Sequence, residues 1–259
     1  LKTIITKTLV LLLFVQTYIF SEETFLLMDG TSGKIVLQKG DDIHSRISPC
    51  STFKIPLSLM GFDAGILINE STPAWPFKEG YDNFLSAWTT IQIPTTWMQL
   101  SCVWYSKILA NQLGNSAINH YLHNFHYGNM DISSGLGIEG PSVVSWINAS
   151  LQISPYEQVT FLCDMVNESL PIKRESIYFT KKLLYKGEME NGWQLYGKTG
   201  WSGSDITKDG VSFEHSWFVG WIENDHQRYI FAFLNKEKSI DLNRRIPRVK
   251  QLIVESNLL

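Results

Sequence analysis

Ser51-Thr52-Phe53-Lys54 sets a hydroxyl and an amine three residues apart, and on a helix residues at that spacing share a face. A serine alcohol is a weak nucleophile until a neighbour accepts its proton. A lysine amine can accept it only when burial lowers its pKa toward neutrality. Phe53, Ile55 and Pro56 offer the apolar surroundings such a lysine needs. The pair therefore reads as a nucleophile, Ser51, and a general base, Lys54, for acyl transfer. By itself it is a weak signal, because roughly one Ser-x-x-Lys arises by composition in a chain of this length.

Two further groups could serve the same chemistry. Lys198 and Thr199 would present a cation and a hydroxyl to a carboxylate, and Gly200 beside them would let a ligand backbone or ring come close to a strand edge. Ser101, in Ser101-Cys102-Val103, carries a hydroxyl that either relays a proton or caps a helix. Other chemistries find less support. His120 and His123 lie three apart with His126 following, but no acidic base or further ligand accompanies them in a known metal spacing. Gly33-Lys34 is followed by Ile35 and lacks the Ser or Thr of a phosphate loop. No metal is expected.

Composition narrows the partners. The chain has 259 residues, 22 basic against 25 acidic, for a net charge of −3. There is no basic stripe of the kind nucleic acid requires. Cys50, Cys102 and Cys163 match no zinc spacing; Cys50 and Cys102 read as small buried hydrophobes. Lys2 and Lys7 lead an apolar run from Leu9 to Val15 and on to Phe20, the pattern of a secretory leader over residues 1–21. The run is short for a bilayer span, which takes about 20 apolar residues. The expectation is a soluble domain over 22–259 with no stable membrane association once the leader is removed.

These residues need elements to position them. Thr24 to Met28 and Lys34 to Gln38 read as a hairpin across Asp29-Gly30-Thr31-Ser32-Gly33. From Ser51 the apolar positions Phe53, Leu57, Met60 and Leu67 fall near helical intervals, which places Ser51 and Lys54 in the first turns of a helix. A mainly helical lobe follows at about 70–185, with helical stretches at Trp104 to Leu113, Ala117 to Phe125 and Pro155 to Val166. Trp193 to Thr199, His215 to Ile222 and Tyr229 to Leu234 then form a strand meander, and Ile246 to Ile253 a last helix. The class is α+β: an antiparallel sheet built from both termini, flanked by helices.

The order and separation of the motifs resemble the class D, oxacillinase-type branch of the penicillin-recognising serine enzymes. The match runs through Pro49-Cys50-Ser51-Thr52-Phe53-Lys54-Ile55-Pro56, Ser101-Cys102-Val103-Trp104-Tyr105-Ser106, Tyr127-Gly128-Asn129 and Lys198-Thr199-Gly200. Gly140-Pro141, Trp146, Ile153-Ser154-Pro155 and Trp217-Phe218-Val219-Gly220-Trp221 agree as well. The resemblance implies a serine β-lactamase or penicillin-binding-protein transpeptidase-like fold. It also implies hydrolysis of the β-lactam amide of penicillin-type antibiotics through an acyl-Ser51 intermediate, and hence resistance.

Residue by residue, the resemblance makes Ser51 the nucleophile and Lys54 the base for both acylation and deacylation, as an N6-carboxylysine formed with carbon dioxide. No other cofactor is implied. Trp146 would hydrogen-bond that carbamate and Val103 would shield it. Ser101 would relay a proton to the leaving nitrogen. Lys198, Thr199 and an arginine near the start of the last helix would meet the substrate carboxylate; Arg245 fits that arginine best and Arg244 is the alternative. The N–H groups of Ser51 and Trp201 would form the oxyanion hole, and Tyr127-Gly128-Asn129 would support the site structurally. The partner is a small-molecule β-lactam and the location periplasmic, with a homodimer left open. The alternatives are a β-lactam sensor domain, or a cell-wall transpeptidase, that acylates without efficient turnover.

Overall fold

The computed structural model describes residues 21–137, 143–189, 192–208 and 210–258. Almost all of the expected leader and the Gly140-Pro141 motif lie outside the described residues. β1 (Ser21–Asp29) and β2 (Ile35–Lys39) form the expected hairpin. Asp29 closes its turn by accepting the Thr31 and Ser32 amides at 3.0 and 2.7 Å. β4 (Gln194–Lys208), β5 (Val211–Glu223) and β6 (Arg228–Glu237) make the meander, and β3 (Tyr185–Glu188) adds an edge. The order β2-β1-β6-β5-β4-β3 joins both ends of the chain in one sheet, antiparallel throughout.

Both faces of this sheet are covered, so its strands read as nearly continuous apolar runs. Period-two alternation sorts the side chains. Trp217, Val219, Trp221, Ile230, Ala232 and Leu234 face the helical lobe. Phe218, Ile222, Tyr229, Phe231 and Phe233 pack with Val249, Leu252 and Ile253 of α6 (Arg245–Glu255). The register of β4 on β5 is pinned where Gly197 pairs with Gly220. A Cβ on Gly220 would lie 2.0 Å from the Tyr196 carbonyl oxygen, so only glycine permits that approach.

Between β2 and β3 lie α1 (Lys54–Asp63), α2 (Pro94–Leu100), α3 (Val103–Asn124), α4 (Pro155–Val166) and α5 (Arg174–Leu184). Every residue of α1 from Lys54 to Phe62 is buried, which marks a central core helix rather than an amphipathic surface one. It stops earlier than the spacing to Leu67 suggests. Gly65 turns left-handed at φ 71°, and the Ile66 and Leu67 amides return to the Gly61 carbonyl at 2.9 and 3.0 Å. The two helical stretches expected at Trp104–Leu113 and Ala117–Phe125 fall within α3 except for Phe125, its C-cap, and α3 kinks between them at Gly114 (φ 78°, ψ 160°). In α4, Ser154 and Glu157 form a reciprocal capping box.

Candidate active site

Ser51 lies in a 3₁₀ turn, Cys50–Phe53, that runs directly into α1. Cys50 enters it at φ 50°. Thr52 fastens the turn from within: its hydroxyl donates to the Pro49 carbonyl at 2.7 Å and accepts from Gln158 Nε2 of α4 at 3.0 Å. Phe53 stacks on Trp146 (centroids 5.0 Å, planes 24° apart) and meets Tyr127 edge-on at 5.9 Å. The turn is thus held on both sides of the nucleophile.

Lys54, the first residue of α1, is 1% exposed, and its Nζ donates to Ser51 Oγ at 3.2 Å. Burial pulls its pKa down to about 8, against a smaller upward pull from Cys102, Cys50 and Asp82. At pH 7 about a tenth of such amines are neutral. Neutral amine is the form that can take a proton or react with an electrophile.

The second wall is the edge of β4. β3 pairs only as far as Tyr196, so Lys198, Thr199 and Gly200 run on past it. Gly200 meets the nucleophile turn: a Cβ there would sit 2.9 Å from the Pro49 carbonyl oxygen and 3.4 Å from Cys50 Cβ. The glycine read from the sequence as room for a ligand is therefore required by the protein's own backbone. Lys198 is 2% exposed. Its Nζ donates to Ser101 Oγ and to the Thr199 carbonyl, both at 3.0 Å, and burial, then the charges of Lys54, Lys186 and Arg245, hold its pKa well down. Arg245 donates from Nη1 to the Gly200 carbonyl at 2.9 Å and from Nε to Leu242 at 2.8 Å; burial lowers its pKa to about 10.

Ser101 ends one helix and faces Lys198. It is the left-handed C-cap of α2 (φ 61°, ψ 32°), a conformation that turns the chain into α3, while its hydroxyl meets Lys198. Val103 opens α3. Ser51, Ser101, Val103, Thr199, Gly200, Trp201 and Arg245 all line one cleft of about 510 Å³. Lys54 and Trp146 lie behind its wall. Arg244 is exposed and lines a neighbouring cavity of about 420 Å³ with Glu23, Asp241 and Arg248, to which Arg245 also contributes; of the two arginines, only Arg245 lines the nucleophile's cleft as well. Asn129 Nδ2 donates to the Ser150 carbonyl at 2.7 Å, and its Oδ1 accepts the Gln152 amide at 2.9 Å. Tyr127-Gly128-Asn129 thereby ties down the loop that follows Trp146.

Several site residues carry no sequence signal of their own. Asp82 lines the cleft and pairs with Lys107 of α3 at 2.9 Å. Phe84 spans the mouth, 6.2 Å from the rings of both Trp88 and Trp201. The loop carrying Asp82 and Phe84 has no periodicity from which its landing place could be read. Gln158 could have been suspected as a polar residue among the buried positions of α4. His120 and His123 are engaged by Asn124 and the Asn119 carbonyl. Among the described residues no group of three or more His, Cys, Asp or Glu is placed to hold a metal ion.

Residues 23–253 match the family model described as penicillin binding protein transpeptidase domain. The chain is 35% identical over 219 residues to β-lactamase OXA-9 of Klebsiella pneumoniae, covering 83% of this chain and 80% of that one. The crystal structure of OXA-427 class D β-lactamase superposes with a TM-score of 0.81 at 36% identity, covering 90% of this chain and 97% of that one. The regulatory protein BlaR1 of Bacillus licheniformis is 31% identical over 80% of this chain, which spans only 32% of BlaR1.

Proposed function

Since the chain belongs to the class D β-lactamases, within the penicillin-binding-protein transpeptidase family, we propose that it hydrolyses penicillin-type antibiotics by way of an ester on Ser51, with carboxylated Lys54 as the base for both halves of the reaction. One observation carries this reading: the buried Lys54 amine, lowered to about pKa 8, is within 3.2 Å of the Ser51 hydroxyl.

The charge distribution favours carboxylation. Lys54, Lys198 and Arg245 crowd one region, whereas Asp82, the one carboxylate among the described cleft-lining residues, is already paired with Lys107. Carbon dioxide, as a carbamate on Lys54, supplies a basic anion in place of one of those cations. Trp146, stacked on Phe53, is the residue proposed to hold that anion, and Val103 to keep water from it.

In acylation, Lys54 takes the Ser51 proton as Oγ attacks the lactam carbonyl, and the N–H groups of Ser51 and Trp201 receive the charge developing on oxygen. The C–N bond then breaks. Ser101, hydrogen-bonded to Lys198, relays the proton held by Lys54 to the departing nitrogen, which leaves Lys54 free to act as a base again. Lys198, Thr199 and Arg245 orient the substrate carboxylate. In deacylation, Lys54 removes a proton from water, which attacks the ester, and returns that proton to Ser51 Oγ as the ester bond breaks.

The apolar run behind Lys2 and Lys7 supports export, which we place in the periplasm. Among the described residues no helix is long and apolar enough to cross a membrane. A second reading, suggested by the similarity to BlaR1, is a sensor that acylates once and stops. Stopped-flow turnover of a chromogenic cephalosporin decides between them. Many turnovers per protein, abolished in Ser51→Ala, are expected; one stoichiometric acylation with no further product would establish the sensor.

A further inference from the structure

Ser48, three residues before the nucleophile and 4% exposed, is the meeting point of a closed ring of hydrogen bonds. Its hydroxyl donates to the Trp146 carbonyl and accepts the Asn148 amide, both at 2.9 Å. Asn148 Nδ2 then donates to the Ser202 carbonyl at 2.9 Å. Ser202 Oγ accepts the His215 amide at 2.9 Å. His215 Nε2 returns to the Ser48 carbonyl at 2.8 Å, joined there by Trp217 Nε1 at 3.0 Å. A carbonyl oxygen only accepts, so Nε2 of the fully buried His215 carries the proton.

The ring joins three segments that each hold a working part: the turn of Ser51, the loop of Trp146, and β4 just past Trp201. None of its side chains lies among those assigned to substrate or to the reacting atoms. Buried networks of this kind fix relative position more sharply than their separate bonds. Ser48 connects the backbone of Trp146 to the segment leading into Ser51 and Lys54.

We propose that Ser48 and His215 are positioning residues that hold the Trp146 loop against the nucleophile turn, so that retention of carboxylate on Lys54 depends on them. This rests on the carboxylated-Lys54 reading. Ser48→Ala cuts both hydroxyl bonds at the loop; Ser48→Thr keeps the hydroxyl. Asn148→Gly opens the ring elsewhere while suiting the left-handed backbone at Asn148 (φ 49°). His215→Gln retains a side-chain donor that His215→Ala removes.

The test measures, for each variant, the acylation rate, the deacylation rate and the bicarbonate concentration giving half-maximal turnover, beside the melting temperature. Ser48→Ala is expected to raise the half-maximal bicarbonate concentration by about tenfold and, below saturation, to slow acylation and deacylation together, both returning to within about threefold of wild type at saturating bicarbonate. Asn148→Gly should show the same signature more weakly, and Ser48→Thr and His215→Gln should restore it toward wild type. A lowered melting temperature with wild-type bicarbonate dependence in both Ser48→Ala and Asn148→Gly would reduce the ring to scaffolding and overturn the proposal alone. If Ser48→Ala does not fold, Asn148→Gly and the His215 pair decide it. Wild-type enzyme indifferent to bicarbonate would overturn the carboxylation reading, and the proposal with it.

Discussion

Gly200 and Pro49 touch through their backbones: a side chain on Gly200 would place its first carbon 2.9 Å from the Pro49 carbonyl oxygen. The contact sets the spacing between the strand edge and the nucleophile turn, and with it the width of the cleft where Ser51, Thr199 and Trp201 meet.

Gly200→Ala should therefore push β4 away from Cys50 and Ser51 while leaving the core intact. A displacement of a few tenths of an ångström between nucleophile and oxyanion donors is expected to lower kcat/KM by roughly ten- to a hundredfold. The melting temperature should fall by only a few degrees. Steady-state kinetics beside thermal denaturation measure both, and unchanged kcat/KM would refute the spacing argument.

Lys54 gives the enzyme a pH dependence of defined sign. Its amine is neutral above about pH 8, and only the neutral amine adds carbon dioxide. Turnover in carbon-dioxide-depleted buffer should fall as pH drops from 8.5 to 6.5 and recover on adding bicarbonate. Rate measurements across that range with and without bicarbonate check this. Flat profiles would argue for an unmodified base.

The same burial makes Lys54 a stability liability. The unfolded chain holds this proton up to about pH 10.4, whereas the folded chain releases it near pH 8. The unfolded state binds more protons between those values, so stability contributed at this position rises with pH through that window and is lowest below it. Lys54→Met should be inactive yet more stable at pH 6, by on the order of 1–3 kcal/mol in carbon-dioxide-free buffer. The gain should shrink as pH climbs toward 10, which urea titrations at two pH values would reveal.

Lys107 is nearly buried and Asp82 partly so, their side chains being 5% and 26% exposed. Lys107→Met strands a carboxylate at the cleft wall and should destabilise the fold by about 2–3 kcal/mol, less than a fully buried pair because water still reaches Asp82. Asp82→Asn with Lys107→Met should recover most of that loss. A double variant no better than Lys107→Met would show that the pair contributes by packing rather than charge.

Lys198 and Ser101 join the sheet to the helical lobe across the cleft at 3.0 Å. Ser101→Ala should lower kcat by about a hundredfold, through slower acylation, since protonation of the departing nitrogen is lost. KM should move little. A mainly KM effect would reassign Ser101 to substrate binding.

How much of this was legible depended on range. The expected strands at His215–Ile222 and Tyr229–Leu234 fall inside β5 and β6, that at Trp193–Thr199 falls inside β4 except for Trp193, which precedes it, and α4 begins and ends where the spacing predicts. α4 carries a local capping box, Pro155 after its cap, and an uninterrupted apolar face. α5 went unread because Ser176 and Thr180 occupy its buried face. Thr180 meets Ser58 at 3.0 Å, a satisfied polar contact that lowers the apolar content by which a buried helix is read.

The sequence by itself determined the chemistry carriers and their local frames. Ser51 and Lys54 meet because three residues of a helical turn bring them together, and the motifs around them carry the family. Only the tertiary structure decided that Gly200 makes room for Pro49, that Arg245 rather than Arg244 reaches the cleft, and that Ser48, Asn148, Ser202 and His215 close a ring. Each of those relationships joins residues tens to more than a hundred positions apart, through backbone approach and hydrogen-bond direction. Such contacts exist only once the sheet has formed from both ends and the helical lobe has packed on its face, so no local pattern encodes them.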